Sequence, residues 1–195
     1  MVTNHGRVKL MAIGGIPSNA SKKPLIPGLN DGEKIVSILE LSDNDDDVLI
    51  YTKDGMGKRV KTSDMYRTSI NSQGQFLIKN VDNVSGMFLI NDNKPLLVYV
   101  TLLGRVRVNN AKFLVSGKKY GDIKRKNIKP IIKLSPQDDL VAVFCVNKND
   151  VVQLNHADGR VSTVNIESLP VTTMATPPER PKHVPATKLV RAIIL

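Results

Sequence analysis

The sequence predicts an all-β protein, built as a propeller-like disc of about four four-stranded blades. Short runs rich in Val, Ile and Leu end at turn signals, which is typical of strands. A set of these runs recurs at a period of about 50 residues, the spacing of propeller-like or solenoid arrays. Tryptophan is absent and aromatic residues make up only 4% of the chain, so aliphatic, strand-forming residues must build the core.

The repeat is clearest in the segment Lys34–Lys61. It contains an apolar run, an acidic loop, a second apolar run, a Lys-Asp-Gly turn and a basic strand. The turn glycine recurs as Gly6, Gly55, Gly104 and Gly159, which are 49, 49 and 55 residues apart. We therefore expect each first apolar run to form a meander with the two strands that follow it, and a short apolar patch to supply a fourth strand.

The repeats predict a single domain over residues 1–195. The last run, KLVRAIIL, is expected to pair with the N-terminal strands and close the ring, because closure hides sheet edges that invite aggregation. An open array cut from a longer series is the alternative. The approximate repeats are 1–33 with 188–195, 34–82, 83–138 and 139–187.

The composition indicates which kind of partner the protein binds and in which cellular compartment it works. A formal charge of +10 indicates either a polyanionic partner or simply a basic surface. Cys145 is the only cysteine, so no internal disulfide or cysteine-rich zinc site can form, and its apolar run predicts burial. The sequence shows no signal peptide and no long apolar span, which predicts a soluble cytoplasmic protein.

Catalytic and metal-binding patterns are weak. His5, His156 and His183 lack metal-ligand spacing with a carboxylate. The acidic run 43–47 lacks the glycine and distal glutamate of a calcium loop. No phosphate-binding glycine loop occurs. We predict no metal, no cofactor and no catalytic residue.

Three segments carry a family resemblance: VLIYTKDGMGKR (48–59), LLVYVTLLGRVR (96–107) and VVQLNHADGRV (151–161). They resemble the repeats in the C-terminal domain of type IIA topoisomerase A subunits, those of DNA gyrase and topoisomerase IV. The resemblance implies a β-pinwheel, a propeller-like disc whose blades exchange strands and whose basic perimeter binds and bends duplex DNA. Four blades would be a reduced version, since discs of this family usually have five or six.

The family's wrapping motif, a glutamine followed by two arginines and a glycine-rich loop, has no match here. The nearest fragments, Gln73–Gln75 and Ser116–Gly121, do not fit it. The resemblance therefore favours an accessory domain like that of topoisomerase IV, or a divergent phage or plasmid type, over one that wraps DNA as gyrase does. Wrapping remains an open alternative.

The resemblance also implies double-stranded DNA, a breakage-reunion domain and an ATPase subunit as partners, no membrane, and a cytoplasmic, nucleoid-associated place in a bacterial or phage-infected cell. No tyrosine matches the catalytic one. Tyr51 and Tyr99 occupy equivalent strand positions, and Tyr66 precedes an arginine instead of following one. We predict no enzymatic activity for this chain on its own.

Basic residues that follow the turn glycines on one strand face predict a track for DNA phosphates. Basic residues of the polar segments between the strands form a second group. The alternative is a propeller-like protein-interaction module with incidental positive charge. The predicted DNA-binding residues are Arg7, Lys9, Lys22, Lys23, Lys58, Arg59, Lys61, Arg67, Arg105, Arg107, Lys118, Lys119, Lys124, Arg125, Lys126, Lys129 and Arg160.

Overall fold

The structure, a computed structural model, describes residues 1–16, 24–42, 47–79, 81–90, 93–114, 128–172 and 177–195. Their regular elements are strands and three-residue 3₁₀ turns, which confirms the all-β prediction. The strands are β1 (Val2–Thr3), β2 (Arg7–Val8), β3 (Ile35–Ser37), β4 (Asp47–Thr52), β5 (Met56–Lys61), β6 (Gln75–Phe76), β7 (Val84–Ile90), β8 (Leu96–Thr101), β9 (Val106–Asn110), β10 (Lys129–Pro130), β11 (Leu140–Val146), β12 (Val151–His156), β13 (Val161–Asn165), β14 (Val171–Thr172) and β15 (Leu189–Ile194). The 3₁₀ turns are Ile13–Gly15, Thr62–Asp64, Ala111–Phe113 and Ile166–Ser168.

Four hairpins, β1–β2, β4–β5, β8–β9 and β12–β13, carry the repeat through the described chain. Each turns at a predicted glycine, and these glycines have φ values from +71° to +85°, in the left-handed region where a side chain is strained. In the first three hairpins a buried threonine precedes the glycine by three residues. The Thr52 hydroxyl, for example, accepts the Met56 N–H at 3.1 Å. The T-x-x-G pattern is therefore a hydrogen-bonded turn.

Each hairpin is flanked by strands from later in the chain. In the second sheet, β4 pairs with the long strand β7, and β5 pairs with the short strand β10, which follows the next hairpin. The first sheet repeats this order as β3-β1-β2-β6 and the third as β11-β8-β9-β14, with β14 parallel to β9. The fourth sheet contains β13-β12-β15. Consecutive repeats thus exchange strands, as the resemblance implied.

Two predictions about pairing are wrong. The first apolar runs do not pair with the hairpins that follow them. In the run at 34–41 only Ile35–Ser37 is a strand, and it pairs with β1; the runs at 83–90 and 139–146 likewise pair with the earlier strands β4 and β8. The terminal strands do not close the ring, because β15 pairs along β12 from Leu189 to Ile194 while β1 already has β2 and β3 on its two sides.

The three apolar patches predicted as fourth strands differ in structure. The second and third patches overlap β6 and β10, which pair with β2 and β5, in the hairpin of the previous repeat, whereas residues 25–29 form no strand. The single-domain assignment stays a prediction.

Three apolar clusters lie between successive sheets. Alternate residues of β4 serve two of them: Val48 and Ile50 face the first sheet, and Leu49 and Tyr51 face the third. The third cluster joins β8 and β9 to β12 and β15. A strand buried on both faces reads as a continuous apolar run, which explains why the sequence of β4 shows no alternation. Cys145 is buried in the cluster between the second and third sheets, as expected.

Candidate nucleic-acid interface

Exposed lysines lie on β5 and β10 of the second sheet and in the turn that leads into residues 115–127. Lys129 of β10 lies opposite Gly57 of β5, and Lys61 ends β5; both lysines are exposed. Lys112 is exposed in the 3₁₀ turn after β9. We call Lys61, Lys112 and Lys129 the second-sheet rim. Lys112 is the member that the sequence reasoning missed, although it lies only six residues before Lys118.

The described residues on either side of the basic stretch 115–127 both contact β5. Just before it, the Leu114 carbonyl accepts a hydrogen bond of 3.0 Å from Arg59 Nη1 on β5. Just after it, Lys129 pairs with Gly57 of the same strand. The predicted residues Lys118, Lys119, Lys124, Arg125 and Lys126 belong to this stretch and lie outside the described residues, as do Lys22 and Lys23. Five cations in sequence are therefore bounded by two attachments to β5.

Arg59 has a structural role, because its charge is paired with Asp47 and its side chain holds neighbouring backbone in place. Its Nε donates to Asp47 Oδ2 at 2.6 Å, and its Nη2 pairs with the same oxygen. The side chain is largely buried. A carboxylate that accepts two N–H groups of one guanidinium fixes the direction of that side chain. Asp47 thus holds Arg59 against the Leu114 carbonyl.

Arg7 is buried in an ion pair. Its Nε donates to Glu33 Oε1 at 2.8 Å and its Nη2 to Oε2 at 3.0 Å, and the guanidinium lies 4.5 Å from the centre of the Phe76 ring. Burial acts to raise the pKa of Glu33. Hydrogen bonds from Arg7, the Asn30 amide and the Thr3 hydroxyl, together with the Arg7 charge, outweigh it and lower this pKa to about 2.

Two predicted lysines are also internal. Lys9 Nζ donates to the carbonyls of Leu25, Ile70 and Ser72 at 2.6, 2.8 and 2.9 Å. Lys58 Nζ donates to the Leu77 carbonyl at 3.0 Å. Burial lowers the pKa of both lysines, because the charged form loses water. These side chains satisfy loop carbonyls inside the protein.

Arg107 is buried beside Tyr99. Its Nε donates to Asn109 Oδ1 at 2.9 Å, and its guanidinium carbon lies 5.9 Å from the centre of the Tyr99 ring. Burial lowers the pKa of Arg107 and raises the pKa of Tyr99.

The expected exposure is therefore wrong for Arg7, Lys9, Lys58 and Arg107. The physical reason is that other parts of the chain cover these side chains: Glu33 pairs with Arg7, loop carbonyls surround the ammonium groups of the two lysines, and Asn109 and Tyr99 contact Arg107.

The remaining predicted residues are more accessible. Arg105 is half-buried; its Nη1 donates to the Ser135 hydroxyl and lies 3.9 Å from Asp138 Oδ2. Arg160 is exposed and pairs with Asp158, and its hydrogen bonds lower the pKa of that carboxyl to about 2. Arg67 is exposed beside Leu10, with which it forms a β-bridge. These arginines lie on other sheets or loops and not at the second-sheet rim.

His156, a histidine considered for metal binding, has a structural role. His156 is buried, with Nε2 3.0 Å from the Ser162 hydroxyl and Nδ1 2.9 Å from the Thr187 hydroxyl. Across the described ranges, no group of three or more His, Cys, Asp or Glu side chains could hold a metal ion. Nor do those ranges contain a helix long and apolar enough to cross a membrane.

Comparison with known proteins identifies the family. The family model described as "DNA gyrase C-terminal domain, beta-propeller" matches residues 1–42, 46–89 and 120–147, more than half of the chain. The chain belongs to this family. A comparison with curated protein sequences returned no match.

Solved structures of the same fold agree. The C-terminal domain of a DNA topoisomerase IV superposes with a TM-score of 0.82 at 14% identity, over 100% of this chain and 60% of that one. A DNA gyrase A C-terminal domain gives 0.73 at 20% identity, over 100% and 64%. The ParC C-terminal domain of E. coli gives 0.71 at 21% identity, over 99% and 79%. The fold is therefore the β-pinwheel of these domains, and the chain spans less than two thirds of the first two.

Proposed function

We propose that the chain is a DNA-binding and DNA-bending accessory domain of a type IIA topoisomerase A subunit, which contacts duplex phosphates without reading sequence. The observation that carries the proposal is the second-sheet rim. Lys61 and Lys129 are exposed on β5 and β10, Lys112 is exposed two residues before Leu114, and Leu114 and Lys129, which flank the basic stretch 115–127, both contact β5. Membership of the gyrase C-terminal family supports it.

The charges suit a phosphate backbone more than base edges. Lysine is a flexible point charge, and phosphate contacts are the sequence-independent part of DNA binding. Bending a duplex of 20–30 base pairs costs on the order of 1–6 kcal/mol, which roughly 6–10 phosphate contacts can offset. The missing wrapping motif favours bending over wrapping. Strand cleavage and ATP hydrolysis would belong to a breakage-reunion domain and an ATPase subunit, in the cytoplasm at the nucleoid.

A salt titration with duplex DNA tests the proposal. Fluorescence anisotropy with a labelled duplex of about 30 base pairs should show binding at low salt. If about six phosphates are contacted, log affinity should fall against log salt concentration with a slope of about −5. Lack of binding at low salt would reject the function.

A charge-matched pair of variants tests the site. Replacing Lys61, Lys112 and Lys129 with alanine should weaken duplex binding at least about tenfold and make the salt slope shallower by about 3 units, since each lost phosphate contact reduces it by about 1. Replacing Lys124, Arg125 and Lys126 should act in the same direction.

The control variant replaces Lys148, Lys188 and Arg191 with alanine. These three exposed residues lie in the loop between β11 and β12 and in or beside β15. The control loses the same charge, so it should leave the slope nearly unchanged. Equal weakening in both triple variants would show that only net charge matters and would overturn the rim assignment.

A further inference from the structure

We propose that Asp47 and Arg59 are positioning residues for DNA, which fix the distance between the rim lysines of the second sheet and the rim lysine of the next repeat. Through that distance the pair sets how tightly a duplex binds and how far it bends. Arg59, which the sequence predicts as a phosphate contact, acts through its neighbours instead. The inference rests on the proposed function, because it concerns the same second-sheet rim.

The rim is divided between two parts of the chain. Lys61 lies on β5 and Lys129 on β10, and both strands belong to the second sheet. Lys112 belongs to the 3₁₀ turn that follows β9, a strand of the third sheet. The three charges can therefore face a duplex in a fixed arrangement only if a contact holds this turn against the second sheet.

Arg59 makes such a contact. Its Nη1 donates to the Leu114 carbonyl at 3.0 Å. The Leu114 N–H donates to the Ala111 carbonyl at 3.0 Å, which closes the 3₁₀ turn, and the Asn110 side chain accepts the Lys112 N–H at 2.9 Å. The turn that carries Lys112 is therefore fixed internally, and Arg59 joins its end to β5.

Asp47 determines the direction of the Arg59 side chain. Its Oδ2 accepts Nε of Arg59 at 2.6 Å and pairs with Nη2, which leaves Nη1 for the Leu114 carbonyl. A guanidinium is planar and rigid, so a carboxylate that holds two of its nitrogens also fixes the third. The Asp47 and Arg59 side chains are only 13% and 18% exposed, so water competes little for these bonds.

The same pair keeps Lys61 charged towards solvent. Asp47 and Lys61 lie directly opposite each other in the β4–β5 ladder. Opposite residues have Cβ atoms about 4.5–5.5 Å apart on one face, which is close enough for an ion pair. Asp47 is bonded to Arg59 instead, and the Lys61 side chain forms no hydrogen bond or ion pair with the described residues. Arg59 thus takes the carboxylate that would otherwise neutralise a rim lysine.

A positioning role and simple electrostatics predict opposite effects of removing the Asp47 charge. If only charge matters, the loss of a carboxylate beside a DNA-binding surface should tighten binding. If Asp47 positions Arg59, the same loss should weaken binding, because the Lys112 turn is no longer held at a fixed distance. A flexible rim has to be ordered when the duplex binds, and that ordering costs affinity.

The first experiment measures the rim distance without DNA. Spin labels on Lys61→Cys and Lys112→Cys report the distance between the two positions by electron paramagnetic resonance, with the buried Cys145 replaced by alanine. Adding Asp47→Asn or Arg59→Lys should broaden the distance distribution. An unchanged distribution in both would reject the positioning role, whether or not the chain binds DNA.

The second experiment measures duplex binding with all three rim lysines in place. A duplex of about 30 base pairs with a fluorophore at each end reports affinity and, at saturating protein, the bend. Asp47→Asn should weaken binding at least about threefold and reduce the bend. Arg59→Lys keeps the charge but should act in the same direction, because a lysine is a point charge without a rigid fork. The bend at saturation would not change if the variants only lowered the folded fraction.

Asp150→Asn is the matched control. Asp150 stands just before β12 and pairs with Lys94 at 3.3 Å, so this variant also removes one carboxylate from an ion pair between two repeats. It lies away from the second-sheet rim and should leave both affinity and bend unchanged. Weakening equal to that of Asp47→Asn would show that any such ion pair matters, which rejects the assignment to Asp47 and Arg59.

Two further results would overturn the proposal. Tighter binding by Asp47→Asn would show that charge alone governs affinity. Wild-type affinity and bend in Arg59→Lys would show that Arg59 does not act through its fork. If the unaltered chain fails to bind the duplex, the proposed function is rejected together with the effect on DNA, while the label distances separately establish whether the pair fixes the rim.

Discussion

At the scale of the residue, threonine hydroxyls stabilise the turns of the first three hairpins. Thr3, Thr52 and Thr101 each accept the N–H that follows the turn glycine, at 3.1 to 3.2 Å. A buried N–H that loses its acceptor is costly because water cannot replace it. The fourth hairpin has His156 in the threonine's place, and its Nε2 lies close to Ser162 instead.

Thr52→Val should therefore destabilise the protein by about 1 kcal/mol, the low end of the cost of leaving a buried N–H unpaired, because the Met56 N–H is half-buried. Urea denaturation followed by circular dichroism measures the change. Thr163→Val is the control, because Thr163 is exposed on β13 and its side chain holds no turn. Equal losses in the two variants would contradict the role of the hydroxyl.

Arg7 and Glu33 should be strongly coupled. Arg7→Met leaves the Glu33 carboxylate buried without its counter-charge and should cost about 3–5 kcal/mol. Replacing both residues with methionine should cost clearly less than the sum of the single replacements. Urea denaturation of the four proteins of this cycle measures the coupling, and additive losses would show that the pair does not act as a unit.

The same pair predicts an acid-sensitive contribution to stability. The pKa of Glu33 is lowered from 4.5 to about 2 in the folded protein. Its contribution is fully present above pH 4.5 and is lost as the pH falls towards 2. The melting temperature of the wild type should therefore drop more steeply over this range than that of Glu33→Gln. Parallel curves would contradict the prediction.

At the scale of the element, two glycine turns with the same backbone differ in what covers them. A Cβ on Gly55 would lie 2.9 Å from the Ile132 carbonyl oxygen, whereas a Cβ on Gly159 meets nothing in the described chain within 4 Å. Gly159→Ala should cost only the strain of a left-handed alanine, about 1–2 kcal/mol. Gly55→Ala should cost clearly more. Thermal unfolding of the two variants measures the difference, and equal values would show that the donor segment is loosely packed.

The hairpins could be predicted from sequence because their signals are local. Runs such as DVLIYT and the recurring glycines specify strand, turn and strand without reference to the rest of the chain. The partner of β7 could not be read in this way. Because β4 is apolar on both faces, its sequence predicts neighbouring strands but does not say whether they come earlier or later in the chain. The prediction that the last run closes the ring was physically reasonable, because it covered a free sheet edge.

The site was only partly predictable for a related reason. Lys61, Lys129 and the basic stretch 115–127 were predicted from charge, and their DNA binding stays a prediction, although Lys61 and Lys129 are exposed. The burial of Lys9 depends on the carbonyls of Leu25, Ile70 and Ser72, which are 16 to 63 residues away in sequence. No local pattern places those carbonyls around one ammonium group.

At the scale of the whole molecule, strand exchange couples each repeat to the next. Ile78 belongs to the second repeat but covers the turn of the first hairpin. Ile78→Ala should therefore cost about 2–5 kcal/mol, and hydrogen exchange should speed up in β1 and β2 as well as around residue 78. Faster exchange confined to residues near position 78 would show that the sheets unfold independently.

Because each sheet needs a strand from later in the chain, the order of synthesis determines when each sheet can be completed. A ribosome adds about 5–20 residues per second, and the outer strand of the first sheet, β6, lies nearly seventy residues after β2. The outer edge of β2 therefore waits roughly 3–14 seconds for its neighbour, and the next sheet waits again for β10. The sheets are completed one after another from residue 1 onward. During each interval, a nascent edge is open long enough for a chaperone or an adjacent nascent chain to reach it first.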